Sequence, residues 1–237
     1  SIPSSLAKQY VELLKAYGYP RIGWLGVDAQ SLTPAIAESL GLANAAGAIV
    51  LRVDGDGPAK GLLRPGDVVT RVGAEDVQDS RDLYRAILDK VGQNLAIDVW
   101  RDGQRVSLTA QPREWPGEAP RIANTILMPS QKMATWSMDL GLDVSAITPE
   151  SRREFNLPPD QRGVVITDVK PESAAALAGY SIGDVILSVQ LKPVGQPVDV
   201  KNALEETLRQ KRASLTSLVQ RASGLRWMTL PLEMPNP

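Results

Sequence analysis

The sequence predicts a mainly β chain with short helices, an α+β protein built as two copies of one small domain. Three observations carry this reading. Short segments rich in Val, Ile and Leu, bounded by Gly, Pro and Asp, recur at strand length: GAIVLRV, GDVVTRV and NLAIDVWRDGQRVSLTA. Short stretches with helical spacing lie between them. The order of these segments then repeats in the second half of the chain. The 237 residues fit two domains on the usual scale of roughly 100–150 residues each.

In chain order, SSLAKQYVELLKAY (residues 4–17) reads as a helix capped by Ser4 or Ser5. Leu6, Tyr10, Leu13, Leu14 and Tyr17 share one face, and Gly18 and Pro20 stop it. This helix either packs on the domain that follows or connects it to a preceding one. GWLGV (23–27) is a glycine-bracketed bend entering a strand. TPAIAESLGL (33–42) is a helix with Thr33 as cap and Pro34 in its first turn. Residues 80–91, SRDLYRAILDKV, form a second helix capped by Asp79 or Ser80. The segment 94–110 is a hairpin turning at Asp102-Gly103. A stretch rich in Pro and loop residues, 113–133, is the boundary between the two copies.

The repeat is in register over three motifs. WLGVDAQSLTPAIAESLGL answers to DLGLDVSAITPESRREFNL, GAIVLRV to GVVITDV, and RPGDVVTRV to SIGDVILSV. Gly26 to Gly47 is 21 positions and Gly141 to Gly163 is 22. Arg64-Pro65-Gly66-Asp67 and Ser181-Ile182-Gly183-Asp184 are read as turns whose bend is preset by Pro and Gly.

Composition excludes several functions. The formal net charge is −1, with 26 basic and 27 acidic residues, so no basic footprint for nucleic acid is visible. No apolar run is long enough for a transmembrane helix. The chain has no Cys and no His. That removes thiolate and imidazole metal sites, and any Ser-His-Asp or Cys-His catalytic unit made from this chain alone. No cofactor and no metal is expected. Asp54-Gly55-Asp56 lacks the other ligand positions of a calcium loop and reads as a turn.

The bend at Trp24-Leu25-Gly26-Val27 carries the functional expectation. Successive N–H groups of a glycine-containing turn can point into one concavity and hold an anion. If the strand that follows lies beside a helix, an extended peptide can add as a further strand, its terminal carboxylate in the turn. Leu25 and Val27 would line an apolar hole for its last side chain.

These motifs resemble a PDZ domain: the bend, GAIVLRVDGDGPAKGLLRPGDVVTRVG and the RDLYRAIL helix. The similarity is nearest to the PDZ domains of the HtrA (Deg) family of trypsin-like serine proteases, and the second copy is similar to that family's second PDZ. The resemblance implies two tandem PDZ domains, at 21–112 and 134–234. Each would be a small antiparallel β-sandwich or partly open barrel capped by two helices. Residues 1–20 would then be a helical connector from an upstream protease domain.

It also implies a peptide site made of Arg21, Trp24, Leu25, Gly26 and Val27 with Ser80, Tyr84 and Ile87 or Leu88 of the helix, while Leu83 and Ala86 face the core. The second, weaker groove would comprise Leu140, Gly141 and Leu142 with Val200, Leu204 and Leu208. There Asp139 replaces Trp24, and at about 4 Å its charge would oppose a carboxylate by up to about 4 kcal/mol before screening.

The expected partners are C-terminal or unfolded protein segments, the protease domain, and other copies of the parent in a trimer or its multiples. The expected compartment is the bacterial periplasm or cell envelope. The alternative is a non-proteolytic scaffold using tandem PDZ domains for envelope assembly.

Overall fold

A computed structural model describes residues 22–116, the backbone of 135–138, and residues 140–232. The helix expected at 4–17, Arg21, Asp139 and most of the boundary segment lie outside the described residues. Contacts divide the chain into two compact units, Ser1–Leu32 with Ala46–Pro120, and Thr33–Ala45 with Arg121–Pro237. The helices are α1 (Pro34–Ser39), α2 (Ser80–Ile87), α3 (Pro149–Glu154), α4 (Ala174–Leu177) and α5 (Pro197–Arg209).

In the first unit, β1 (Gly23–Trp24) is followed by β2 (Val27–Ser31), β3 (Ala48–Val53), β4 (Val68–Val72) and β5 (Glu75–Asp76). After α2 come β6 (Leu95–Arg101), β7 (Gln104–Ala110) and β8 (Arg113–Glu114). The main sheet runs β2-β3-β4-β6-β7 with β5 beside β4, while β1 pairs with β8. All of these pairs are antiparallel. Alternation explains the inner face of β6, where Leu95, Ile97 and Val99 are buried. On β4 a register shift between Val69 and Arg71 puts both Val69 and Val72 in the same core, which Leu83 and Ala86 of α2 close. The Asp102-Gly103 turn has positive φ at both residues, the geometry that matches strand twist in a two-residue hairpin.

The second unit repeats this order. Its strands are β9 (Thr135–Met138), β10 (Leu142–Ala146), β11 (Val164–Val169), β12 (Val185–Val189), β13 (Lys192–Pro193), β14 (Ser214–Arg221) and β15 (Gly224–Pro231). They lie in the order β15-β14-β12-β11-β10-β9, with β13 on β12. Thus β10-β11-β12-β14-β15 corresponds to β2-β3-β4-β6-β7, and β9 is an extra strand on the edge.

The sequence groups residues 33–42 with the strands on either side of them. In the structure their contacts lie with the second unit, where α1 packs on β14 and β15. The Thr216 hydroxyl donates to Ser39 Oγ at 2.6 Å, and Arg212 Nη1 donates to the Ser39 carbonyl at 3.0 Å. The Thr33 side chain caps α1, accepting from the N–H of Ile36, with Pro34 just inside.

The two matching turns hold more than Pro and Gly. Asp67, 1% exposed, takes a two-pronged hydrogen bond from Arg101 (Nε to Oδ1 2.8 Å, Nη2 to Oδ2 2.6 Å) and accepts the Arg64 N–H at 2.9 Å. In the second unit Asp184 accepts the Ser181 N–H at 3.1 Å and pairs with Arg221, Nε to Oδ2 at 3.0 Å. The carboxylate therefore fixes the turn and ties it to the strand two along. Burial pushes the Asp184 carboxyl above its usual range, and the Arg221 charge pulls the other way. Removing one partner of a buried pair leaves the other charge uncompensated, at about 3–5 kcal/mol. Asp67→Ala should therefore lower the stability of the first unit by about 3 kcal/mol, read from urea unfolding followed by amide signals of β3, β4 and β6.

Candidate functional site

The two glycines of GWLGV have different jobs. Gly26 has φ +73°, a left-handed conformation that a side chain disfavours. A Cβ there would lie 2.5 Å from the Gly57 Cα, and one on Gly57 would lie 2.8 Å from the Gly26 Cα, so the two backbones touch. Gly23 is required for close approach: a Cβ would fall 1.9 Å from the Ile87 carbonyl oxygen at the end of α2. The Gly23 N–H donates to the Leu88 carbonyl at 2.8 Å. The Trp24 indole lies over the kink, its Cζ2 within 3.3 Å of where a Gly26 Cβ would be.

The kink turns its carbonyls one way. The Leu25 oxygen accepts from Ala59 N–H at 2.9 Å, and the Gly26 oxygen from Asp54 N–H at 2.6 Å. Among the described residues no acceptor takes the N–H of Leu25 or Gly26. Two successive free amides at a glycine turn are the arrangement from which an anion nest can be built.

The nest heads an open edge. Gly26 bonds toward β3 through its carbonyl, and Leu32 N–H does the same to the Gly47 carbonyl at 3.1 Å. Even-numbered residues of this segment therefore face β3. Main-chain groups alternate sides along a strand, so those of Val27, Ala29 and Ser31 face away from β3, toward α2. On that side β2 has no strand neighbour among the described residues.

Helix α2 forms the opposite wall. Asp79 is its cap, accepting the N–H of Arg81 at 2.8 Å and of Asp82 at 3.0 Å, and its carboxyl is held below the usual range chiefly by the Asp82 N–H. Leu83 and Ala86 are in the core, and so is Ile87. Leu88 is buried, and its carbonyl meets Gly23. Leu25 and Val27 belong to the same core cluster. The helix side chains that reach β2 are Ser80 and Tyr84. Ser80 Oγ and Ser31 Oγ are 3.1 Å apart, and the Ser80 N–H donates to Ser31 Oγ at 3.2 Å. The Tyr84 hydroxyl accepts the Ala29 N–H at 3.1 Å. Partial burial pushes the Tyr84 phenol above its ordinary range and the Asp28 charge adds to this, while the Ala29 bond pulls it back.

The second repeat has the same kink but not the open edge. Gly141 has φ +82°, its carbonyl accepts from Lys170 N–H at 2.9 Å, and the Leu140 carbonyl accepts from Ala175 N–H at 3.3 Å. Leu142 is buried in the core. Strand β9 pairs antiparallel along β10, from Leu142 with Met138 to Ser145 with Thr135, and packs against α5. The chain's own backbone thus fills the position an added strand would take.

The stripe expected on α5 is not one wall either. Val200 is wholly buried, at the position that Leu83 holds in α2; Leu204 is partly buried against the core; Leu208 is exposed. The sequence reading weighed the charge of Asp139 and missed strand occupancy. The available signal was TWSM, polar and apolar in alternation, three residues ahead of β10 with Gly141 in the connection, the pattern of a hairpin.

Residues 23–111 match the PDZ domain family. The first repeat is a PDZ domain. Over nearly all its length the chain is related to HtrA/Deg-type serine endoproteases. It is 36% identical over 238 residues to the probable periplasmic serine endoprotease DegP-like of Brucella suis biovar 1 (strain 1330), covering 98% of this chain and 44% of that protein. Identity to the DegP-like protein of Rhizobium meliloti (strain 1021) is 33%, covering 98% and 45%. For that of Pseudomonas fulva (strain 12-X) it is 32% over 222 residues, covering 93% and 45%. The chain therefore spans less than half the length of these relatives. Among solved structures it is similar to HtrA-type protease AlgW with tripeptide, with 39% identity and a TM-score of 0.44 over 49% of this chain and 40% of that one.

A PDZ region of this type has a peptide-binding regulatory role, and the kink has no room for a side chain at Gly26. Gly26→Ala forces a side chain into a left-handed conformation and against Gly57, a strain of about 1–3 kcal/mol. The thermal midpoint of the first unit should fall by several degrees, measured by calorimetry on the full chain.

Proposed function

We propose that the chain is the peptide-capturing, substrate-recognition region of a periplasmic HtrA-like serine endoprotease. The first PDZ domain takes the free C-terminus of an unfolded or partner protein, with an apolar last residue, by strand addition to β2. The observation that carries this reading is the pair of free amides at Leu25 and Gly26 at the head of an open strand edge. An arriving carboxylate gains charge-assisted hydrogen bonds there, and its main chain then pairs with Val27, Ala29 and Ser31. The protease domain lies in the parent protein, because this chain has neither His nor Cys to build such a site.

The second PDZ domain does not capture peptides in the same way, since β9 lies along β10. The compartment follows the relatives, which are named periplasmic.

The test is a titration of the full chain with a labelled peptide ending in Val, as the free acid and as the C-terminal amide. The acid should bind with amide-signal changes at residues 25–31 and 80–88. Amidation removes the charge that the nest holds and should weaken binding at least tenfold. Equal affinity for acid and amide, or changes centred on residues 140–146 instead, would remove the assignment.

A further inference from the structure

The open edge of the first groove is already occupied at one point. An added strand would place a backbone carbonyl against the Ala29 N–H. In the structure that N–H is bonded to the Tyr84 hydroxyl at 3.1 Å. One turn back on the same helix, Ser80 bridges to Ser31 through both its hydroxyl and its N–H. These contacts cross the gap between β2 and α2, the gap a ligand must enter.

We propose that Tyr84 is the gate of the first groove: its hydroxyl stands in for a ligand carbonyl on Ala29, and ligand entry exchanges one for the other. This rests on the reading of β2 as a strand-addition site. Tyr84 suits the part chemically. A phenol oxygen is a neutral acceptor, as a peptide carbonyl is, so the edge amide is satisfied in either state. The side chain is 41% exposed and absent from the core cluster, so it can swing out without opening a cavity. Its neighbours Leu83, Ala86 and Ile87 are packed and hold the helix in place while it moves.

The second repeat supports the assignment by contrast. Hydrogen bonds align α5 with α2: Asp82 Oδ2 accepts the Gln78 N–H at 3.1 Å and Asp199 Oδ2 accepts the Gly195 N–H at 2.9 Å. Lys201 then stands where Tyr84 stands, and it carries no acceptor. There the edge is covered by β9.

The exchange has a consequence for affinity. A ligand entering the native groove gains a bond to Ala29 but displaces the one to Tyr84, so the bond adds little. Tyr84→Phe keeps the ring and removes the competing acceptor. A net hydrogen bond is worth about 0.5–1.5 kcal/mol, or roughly 2- to 13-fold in affinity.

The experiment compares the full native chain with Tyr84→Phe and Tyr84→Leu. Amide exchange without ligand is read first. The Ala29 N–H should be protected in the native chain and exchange at least several-fold faster in both variants, with neighbouring β3 amides unchanged. The free-acid peptide ending in Val is then titrated, and Tyr84→Phe should bind it about three- to tenfold more tightly. Native and Tyr84→Phe chains with the same Ala29 exchange, or weaker binding by Tyr84→Phe, would overturn the gate and leave peptide capture standing. Failure of all three chains to bind the peptide would overturn peptide capture and the gate with it.

Discussion

Among the described residues strand β2 has a strand neighbour on one side only, so the main-chain groups on its other side must meet water, a side chain or another backbone. An amide shut away from water without an acceptor costs about 1–3 kcal/mol. The two repeats meet this demand in different ways. In the first, the Tyr84 hydroxyl satisfies one amide of the edge, that of Ala29, a pair of serines joins side chain to helix beside it, and no strand covers the rest among the described residues. In the second, four residues of the chain itself pair along the edge. One topology thus yields one edge without a strand neighbour among the described residues and one that is filled from within.

The kink that heads each edge depends on backbone contact. Gly26 and Gly57 touch through their Cα atoms, and Gly141 meets the Ser173 side chain, so both turns are held from behind by a loop that also consumes their carbonyls. With the carbonyls taken, the amides of Leu25 and Gly26 are left without an acceptor among the described residues. The buried aspartates serve the same end at longer range. Asp67 and Asp184 each join a turn to a strand two places along, which fixes the sheet from which β2 and β10 hang.

Much of this was legible residue by residue. The glycine periodicity gave the repeat, Asp102-Gly103 gave the hairpin, and Thr33 with Pro34 gave a helix start, because each depends on local backbone chemistry. The core role of Leu83 and Ala86 was legible from resemblance. Ile87 was harder to place: two adjacent apolar residues at a helix end look alike until the sheet beneath them is known. Asp67 read as part of a turn motif, since its partner Arg101 lies 34 positions away.

By itself the sequence determined that this protein has two β-rich repeats, each with a glycine kink ahead of a strand, and no histidine or cysteine chemistry. These follow from spacing and composition, which are properties of the chain. Only the tertiary structure decided which edge is open, that helix α1 groups with the second unit, and that Tyr84 reaches Ala29 from 55 positions away. Those outcomes depend on which main-chain groups compete for the same partners in space, and no linear pattern records that competition.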